Sequence, residues 1–204
     1  EASLAALADH IRPMVEHLAG HPRIFAWTAG GEPNAGQADL SDEEDRRRFG
    51  EWLRGRYGTV EALDAAWNLY PERGTTIVPS FEEAWRALAG FSADPTVSGA
   101  HRAKVNYGAA RDMVRFFTDK FIARERAKVE CFRRHDPSRP VLIGSHQLLV
   151  NQPALRWDLP AWARLADSHF TSIHMAWHFE LAEGEVDRPL YVQARQTHDY
   201  LKGC

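Results

Sequence analysis

The sequence has little cysteine, no long apolar run and no excess of basic residues. Two cysteines among 204 residues are too few for a disulfide framework. No stretch approaches the ~18 consecutive apolar residues of a membrane-spanning helix. The 25 Lys and Arg against 28 Asp and Glu give a formal net charge of -3, and no basic tract is present to bind a phosphate backbone. We therefore expect neither a membrane span nor a nucleic-acid partner.

The motifs of the common cofactors are also missing. Ten histidines include pairs four residues apart, such as His174 with His178, but no thiolate or carboxylate stands at a supporting ligand spacing. Residues 29–32 (Ala-Gly-Gly-Glu) match neither a dinucleotide fingerprint nor a phosphate loop. Residues 144–146 (Gly-Ser-His) lack the second glycine of a nucleophile elbow. We expect no metal, no cofactor and no serine nucleophile.

The composition, 44% hydrophobic and 26% charged, is that of a globular protein. Turn residues divide the sequence into alternating predicted helices and strands. Apolar residues three and four apart predict helices at 2–18, 41–54, 60–67, 81–88, 102–135 and 159–165. Short apolar runs between turn residues predict strands at 24–27, 141–146, 168–174 and 190–195. Strands that alternate with helices indicate a parallel α/β sheet.

Polar or aromatic side chains follow several of these strands, where a (β/α)8 barrel places its chemistry. Four strands cannot close such a barrel, which takes about 250 residues. An open doubly wound sheet fits the length, but its phosphate loop is missing. Because both ends of the chain fall inside an apolar pattern, we interpret residues 1–204 as part of one (β/α)8 domain, with residues 41–99 as a helical insertion.

The segment from His21 to Pro33 resembles the fourth-strand motif of the clan A glycoside hydrolases, in which Asn-Glu, often followed by Pro, ends the strand. A more specific likeness joins Phe-Gly-Glu-Trp-Leu at 49–53 and Arg-Tyr-Gly-Thr-Val-Glu-Ala-Leu-Asp-Ala-Ala-Trp at 56–67. These residues resemble the pair of helices after that motif in the β-galactosidases of family 42. The likeness is strong over 21–67 and looser thereafter. It implies strands 4 to 7 of a TIM barrel and a β-galactosidase-like activity.

The resemblance makes Glu32 the general acid/base, and its setting supports that role independently. Burial at an apolar strand end raises a glutamate pKa, so that the carboxyl can hold a proton near neutral pH. The alternative is a loop carboxylate paired with an arginine. Gly31 stands where the family has Asn, which usually hydrogen-bonds the sugar beside the cleaved bond. That contact is absent or comes from Asn34, His146 or Gln193.

A retaining glycosidase also needs a nucleophilic carboxylate about 5–5.5 Å from the acid/base. In the family it lies at the end of the seventh strand, but the last predicted strand here ends without Glu. Glu180, Glu183 and Glu185 are more simply a solvated loop. We expect the nucleophile to be a Glu shortly beyond Cys204, with Glu180 as the candidate if none follows.

Sugar pockets combine aromatic faces with side chains that hydrogen-bond hydroxyls. On that basis the candidate substrate-binding residues are Asn34, His146, His174, Trp177, Gln193 and Arg195. The alternative for each is an ordinary hydrogen bond within the core. Trp27 is expected to lie in the core rather than to stack on a sugar.

The leading hypothesis is a retaining, β-galactosidase-like glycosidase that acts on a carbohydrate substrate. The alternative is a non-catalytic carbohydrate-binding protein on a degenerate barrel, for which Gly31 and the missing nucleophile argue. The aromatic helices from 49 to 88 are most simply packing, or they wall the pocket or contact a neighbouring subunit of a homo-oligomer, since relatives are trimers. Sugar and compartment stay open, with the cytoplasm favoured over secretion.

Overall fold

The computed structural model describes residues 2–31, 33, 40–68, 78–88, 106–146, 158–172, 195, 198–199 and 202. The chain forms two compact units. The sheet unit comprises Glu1–Asn34 and Lys120–Cys204, and the helical unit comprises Ala35–Asp119. No helix in these described stretches is long and apolar enough to cross a membrane.

Within its described residues, the sheet unit contains three parallel strands in the order β1-β2-β3. They are β1 (Trp27–Thr28), β2 (Val141–His146) and β3 (Ser168–Ser172), and the helices are α1 (Ala2–Leu18), α4 (Tyr107–His135, from Lys120 onward in this unit) and α5 (Leu159–Ala163). Trp27 lies opposite Val141, and Leu142 lies opposite Ser168. The parallel sheet is therefore confirmed for three of the four predicted strands. The fourth, 190–195, falls outside the described residues except for Arg195, whose backbone is helical rather than extended.

Strand β1 begins three residues later than predicted. The amide of Ile24 donates to the His21 carbonyl (3.0 Å), so this stretch is a turn, and the Phe25 side chain is 82% exposed. Pairing starts when the Trp27 amide donates to the Pro140 carbonyl (2.9 Å). The start of β1 is thus set by its partner strand, which the apolar run alone could not reveal.

One face of the sheet is buried against helices. Val141 and Ile143 are fully buried, and Trp27 stacks on Phe132 of α4 with ring centroids 5.7 Å apart. The prediction that Trp27 belongs to the core is confirmed. Its indole adds specific geometry to the apolar area that it removes from water.

The helical unit contains α2 (Glu43–Tyr57), α3 (Val60–Trp67), a 3₁₀ helix (Ala84–Leu88) and the first turns of α4. Helix α2 begins two residues later than the predicted 41, because Asp42 is its cap and accepts from the Asp45 amide (3.0 Å). The Asp42 carboxylate thereby satisfies one of the unpaired amides in the first turn of α2. Glu44 bonds Arg47 at 2.7 Å, and the guanidinium lowers the pKa of Glu44 to about 2.

The segment predicted as a helix over 81–88 is a turn followed by the 3₁₀ helix. Its hydrogen bonds run from i+3 to i, with the Ala84 amide donating to Phe81 and the Arg86 amide to Glu83. The reason is a close approach of α2. A Cβ on Gly50 would lie 2.9 Å from the Phe81 carbonyl oxygen, so this turn packs directly on the helix backbone.

The core of the helical unit is aromatic in its described part and includes the buried carboxylate of Asp112. Phe49 stacks on Trp67 with centroids 6.4 Å apart. The Trp67 indole nitrogen donates to Asp112 (3.0 Å), as does the Tyr57 hydroxyl. The guanidinium of Arg115 lies 3.6 Å from the same carboxylate and offsets part of the cost of burying it. The expectation that these helices form a packed core is met within this unit.

Candidate active site

The candidate site lies at the carboxyl end of β1. Pairing between β1 and β2 continues beyond Thr28: the Ala29 amide donates to Leu142, and the Gly144 amide donates to Gly30, both at 2.8 Å. The backbone is therefore held to the sheet up to the residue before Gly31. Gly30 and Gly31 follow β1 with no atom within 4 Å of where their Cβ atoms would be, which leaves room for a ligand to approach this backbone.

The predicted acid/base follows directly in the sequence. Gly31 is exposed, and Pro33 is buried. Glu32, between them, lies outside the described residues, as do Asn34, His174, Trp177 and Gln193. Their roles remain predictions.

Two predicted binding residues are partly described. The backbone of His146 forms the last residue of β2 and lies opposite Ser172 of β3. The guanidinium of Arg195 donates to Asp199 at 2.7 Å, and the Arg195 residue is exposed. His146 is thus at a strand end as predicted, whereas Arg195 is engaged with a neighbour in a helical stretch of the chain.

The opposite end of β1 is anchored by Asp136. Its carboxylate accepts from the Trp27 indole (3.0 Å) and from the Ser138 hydroxyl (2.6 Å). The Ser138 hydroxyl, followed by Trp27 and Arg139, holds the pKa of Asp136 below its ordinary value. The carboxylate is therefore charged at neutral pH and fixes the ring that begins β1.

A second aspartate anchors β2 in the same way. Asp167 accepts from the Val141 amide (2.8 Å) and from the Arg133 guanidinium (2.9 Å). These bonds, the Val141 amide foremost, lower the pKa of Asp167. Two strands that carry the candidate site are thus tied down at the end away from it, which is the arrangement that a preorganised site requires.

The side chain of His169 on β3 has a structural role, because it hydrogen-bonds a backbone carbonyl. Its Nε2 lies 2.9 Å from the Trp162 carbonyl, so the neutral ring donates to that oxygen. Burial lowers the pKa of His169, which keeps the imidazole uncharged at neutral pH. This side chain ties β3 to α5.

In the described part of the chain, no three His, Cys, Asp or Glu residues are gathered as metal ligands would be. Cys131 is buried, with its sulfur 3.9 Å from the Ala8 carbonyl, and burial raises the pKa of its thiol. It therefore packs as a small buried residue of α4.

Sequence reasoning missed the residues that support the site. Gly144 carried a signal, because a glycine inside an apolar strand often marks a close backbone approach. In the sequence, Asp136 is marked only by its place after the predicted helix 102–135 and before a proline. Asp167 gave no signal, since its partner Val141 is 26 residues away in the sequence.

The comparison with known families decides the identity of this fold. The family model of the glycoside hydrolase family 42 β-galactosidases matches residues 4–199. The chain belongs to glycoside hydrolase family 42. The family-42 resemblance predicted from residues 21–67 is therefore confirmed over nearly the whole chain.

Two curated relatives extend this membership. The chain is 26% identical over 176 residues to a β-galactosidase of Arthrobacter sp., covering 84% of this chain and 23% of that protein. It is 24% identical over 201 residues to a β-galactosidase of Planococcus sp. (strain L4), covering 93% of this chain and 24% of that one. The chain thus spans about a quarter of the length of each of these two relatives.

Solved structures show the same fold. A β-galactosidase from the psychrophilic Marinomonas ef1 superposes with a TM-score of 0.64 at 20% identity, covering 85% of this chain and 24% of that one. One from Bacillus circulans sp. alkalophilus gives 0.63 at 19% identity, covering 88% and 24%. The predicted fold class, part of a (β/α)8 TIM barrel, is confirmed.

Proposed function

We propose that the protein is a retaining, β-galactosidase-like glycosidase and that Glu32 is its general acid/base. The observation that carries this proposal is the position of Glu32 in a family-42 chain. It directly follows Gly31, one residue beyond Gly30, whose carbonyl completes the pairing of β1 with the neighbouring strand. Catalytic residues of (β/α)8 barrels come from the carboxyl ends of the strands.

The chemistry assigns two successive tasks to Glu32. Its protonated carboxyl gives a proton to the glycosidic oxygen while the bond from that oxygen to the anomeric carbon breaks and the nucleophilic carboxylate attacks the same carbon. The ionised Glu32 then removes a proton from the water that displaces the enzyme from the sugar. Configuration is retained, and both carboxyl groups return to their starting states.

The nucleophile is proposed to be a Glu shortly beyond Cys204. The described residues near the C-terminal end include no glutamate, and the family places this carboxylate at the end of the seventh strand. Reading the parent gene through the next ~20 residues checks the proposal, since the two carboxylates must reach within about 5.5 Å of each other. A stretch without Glu or Asp would transfer the role to Glu180.

The sugar contacts are proposed to come from residues that follow the strands. His146 ends β2, the strand that pairs directly with β1, so it is the first candidate for a hydroxyl next to the cleaved bond. Asn34, His174, Trp177 and Gln193 complete the set. Arg195 belongs to the set as well, because its exposed ion pair with Asp199 is weak and can be exchanged for a sugar hydroxyl.

The test is a panel of aryl glycosides with the full-length gene product. We expect hydrolysis of the β-galactoside in preference to the β-glucoside, β-mannoside and β-fucoside, and retention of configuration when the first product is followed by proton NMR. Each excluded sugar differs at hydroxyls that the site must hydrogen-bond, which discriminates by several orders of magnitude.

A different outcome would support a different function. If calorimetry detects galactose binding and the full-length protein hydrolyses no aryl glycoside, the protein is a carbohydrate-binding module on a barrel that has lost its chemistry. Inversion of configuration would also overturn the proposal, because it requires a water between the two carboxylates and a wider separation.

A further inference from the structure

Gly144 of β2 lies where no other residue fits. Its amide donates to the Gly30 carbonyl at 2.8 Å. A Cβ at position 144 would overlap the carbonyl oxygen of Gly31 and lie 2.7 Å from that carbonyl carbon. It would also lie 2.7 Å from Cε2 of Phe170, the residue opposite Gly144 on β3. The Gly31 peptide therefore occupies the space that a side chain on β2 would fill.

Among the other glycines in the described stretches, only Gly50 would bring a Cβ within 3.0 Å of a backbone atom, the Phe81 carbonyl oxygen of the helical unit. A Cβ on Gly30, Gly31 or Gly55 would meet no atom within 4 Å. The φ angle of Gly144 is also not in the left-handed region, so backbone conformation does not explain the glycine. Glycine is required at 144 because the Gly31 carbonyl and the Phe170 ring both lie where a Cβ would be.

We propose that Gly144 is a positioning residue for the acid/base, because its lack of a side chain lets the Gly31 carbonyl lie against β2 and so fixes the peptide unit that leads to Glu32. The inference rests on the proposed function. The Gly31 carbonyl belongs to the same planar peptide unit as the backbone nitrogen and Cα of Glu32. A displacement of that carbonyl therefore moves the start of residue 32 by a similar amount. Catalysis is sensitive to such a shift, since a misplacement of about 1 Å can lower the rate about 100-fold.

A displaced general acid has a kinetic signature that a merely destabilised protein lacks. Phenol is a poor leaving group and needs the proton from Glu32 as the bond breaks, whereas dinitrophenolate departs without it. Loss of positioning therefore lowers kcat/KM for a phenyl β-galactoside and spares kcat/KM for a dinitrophenyl β-galactoside. A lower fraction of folded enzyme reduces both values by the same factor.

The experiment compares Gly144→Ala with wild type and with Gly55→Ala in the full-length protein. We expect Gly144→Ala to lower kcat/KM for the phenyl galactoside about 100-fold. The value for the dinitrophenyl galactoside should stay within about threefold of wild type. Gly55→Ala, on an exposed helix position with open space around it, should change neither value.

A further variant separates the two contacts of Gly144. Adding Phe170→Ala removes the ring but leaves the Gly31 carbonyl in place, so the double variant should keep the selective defect. Recovery of the phenyl galactoside rate in the double variant would overturn the proposal in favour of simple crowding by Phe170.

The remaining outcomes are also decisive. The ratio of the two kcat/KM values does not depend on the folded fraction, so a poorly folding preparation still gives it. An equal loss on both substrates, no loss on either, or no folded protein even with Phe170→Ala would contradict the positioning role. Wild-type protein that hydrolyses neither galactoside would instead defeat the proposed function and leave the steric requirement at Gly144 untouched.

Discussion

Glycine has two different meanings at the end of β1. Gly144 is required by the close approach of the Gly31 peptide, as described above. Gly31 itself is not required by space or by backbone conformation, because a Cβ there meets nothing within 4 Å and its φ is not in the left-handed region. The absence of the family's Asn at position 31 is therefore a choice of side-chain chemistry, and it can be reversed without strain.

Gly31→Asn should restore a hydrogen bond to the sugar. We expect the full-length variant to fold as wild type does and kcat/KM for an aryl β-galactoside to rise about tenfold, which corresponds to about 1.4 kcal/mol, the net worth of one hydrogen bond. Steady-state kinetics and thermal unfolding of the variant measure both.

Gly31→Ala is the matched control for this change. It restricts the backbone in the same way without adding an amide, so its kcat/KM should match that of wild type. Equal rates for Gly31→Asn and Gly31→Ala would mean that another residue, such as Asn34 or His146, already makes the contact.

At the scale of elements, the strands of the site depend on polar anchors at their opposite ends. Asp136 holds the Trp27 indole at the start of β1, and Asp167 holds the first amide of β2. Both pKa values are lowered in the folded protein. The native state therefore stabilises the ionised form of each aspartate more than the unfolded chain does.

Asp136→Asn should weaken the dependence of stability on pH. A carboxyl whose folded pKa is lowered stabilises the protein above its unfolded pKa, near 3.8, and this contribution is lost as the pH falls through the folded value. We expect the variant to lower the free energy of unfolding at about pH 7 and to lower it by less at about pH 3. Urea unfolding at the two pH values measures the difference.

Ser138→Ala tests the cause of that shift. The Ser138 hydroxyl is the largest contributor to the lowered pKa of Asp136, so its removal should reproduce part of the change in pH dependence. A destabilisation by Asp136→Asn that is the same at both pH values would show that charge is not involved.

The same scale shows what the sequence could and could not reveal. The bounds of α1, α3 and β2 are as predicted, because each rests on a local pattern of apolar residues with clear stop signals. The predicted starts of α2 and β1 and the predicted α-helix at 81–88 were wrong. Each is decided by a competing side chain or by a distant partner: Asp42 over Ser41, Pro140 for β1, and the α2 backbone for the turn.

At the scale of the whole molecule, the fold was predictable and the complete site was not. Alternating helices and strands gave a parallel sheet, and the motif before Pro33 gave Glu32 through its family resemblance. Spacing alone could not identify a partner for Glu32, because a barrel site is assembled from strands far apart in the chain. This chain covers about a quarter of its relatives, so the second carboxylate is proposed to lie in the rest of the protein.

The division into two units fits the proposal that residues 41–99 are an insertion after the acid/base strand. These residues lie within the helical unit, Ala35–Asp119, which has its own aromatic core around Trp67. An insertion with a core of its own can vary in the family without altering the strands that carry the chemistry.

The most direct measurement of the central claim is the turnover of Glu32→Ala in the full-length protein, with and without azide. Without its acid/base, the enzyme should lose at least about 100-fold in kcat on a dinitrophenyl β-galactoside, whose leaving group departs unaided and leaves the attack of water on the galactosyl-enzyme as the slow step. Azide needs no proton removed, so it should restore much of the rate and yield β-galactosyl azide. Glu61→Ala, an exposed helical carboxylate, should retain full activity. Unchanged turnover in Glu32→Ala, or a loss that azide does not relieve, would contradict the assignment of Glu32 as the acid/base.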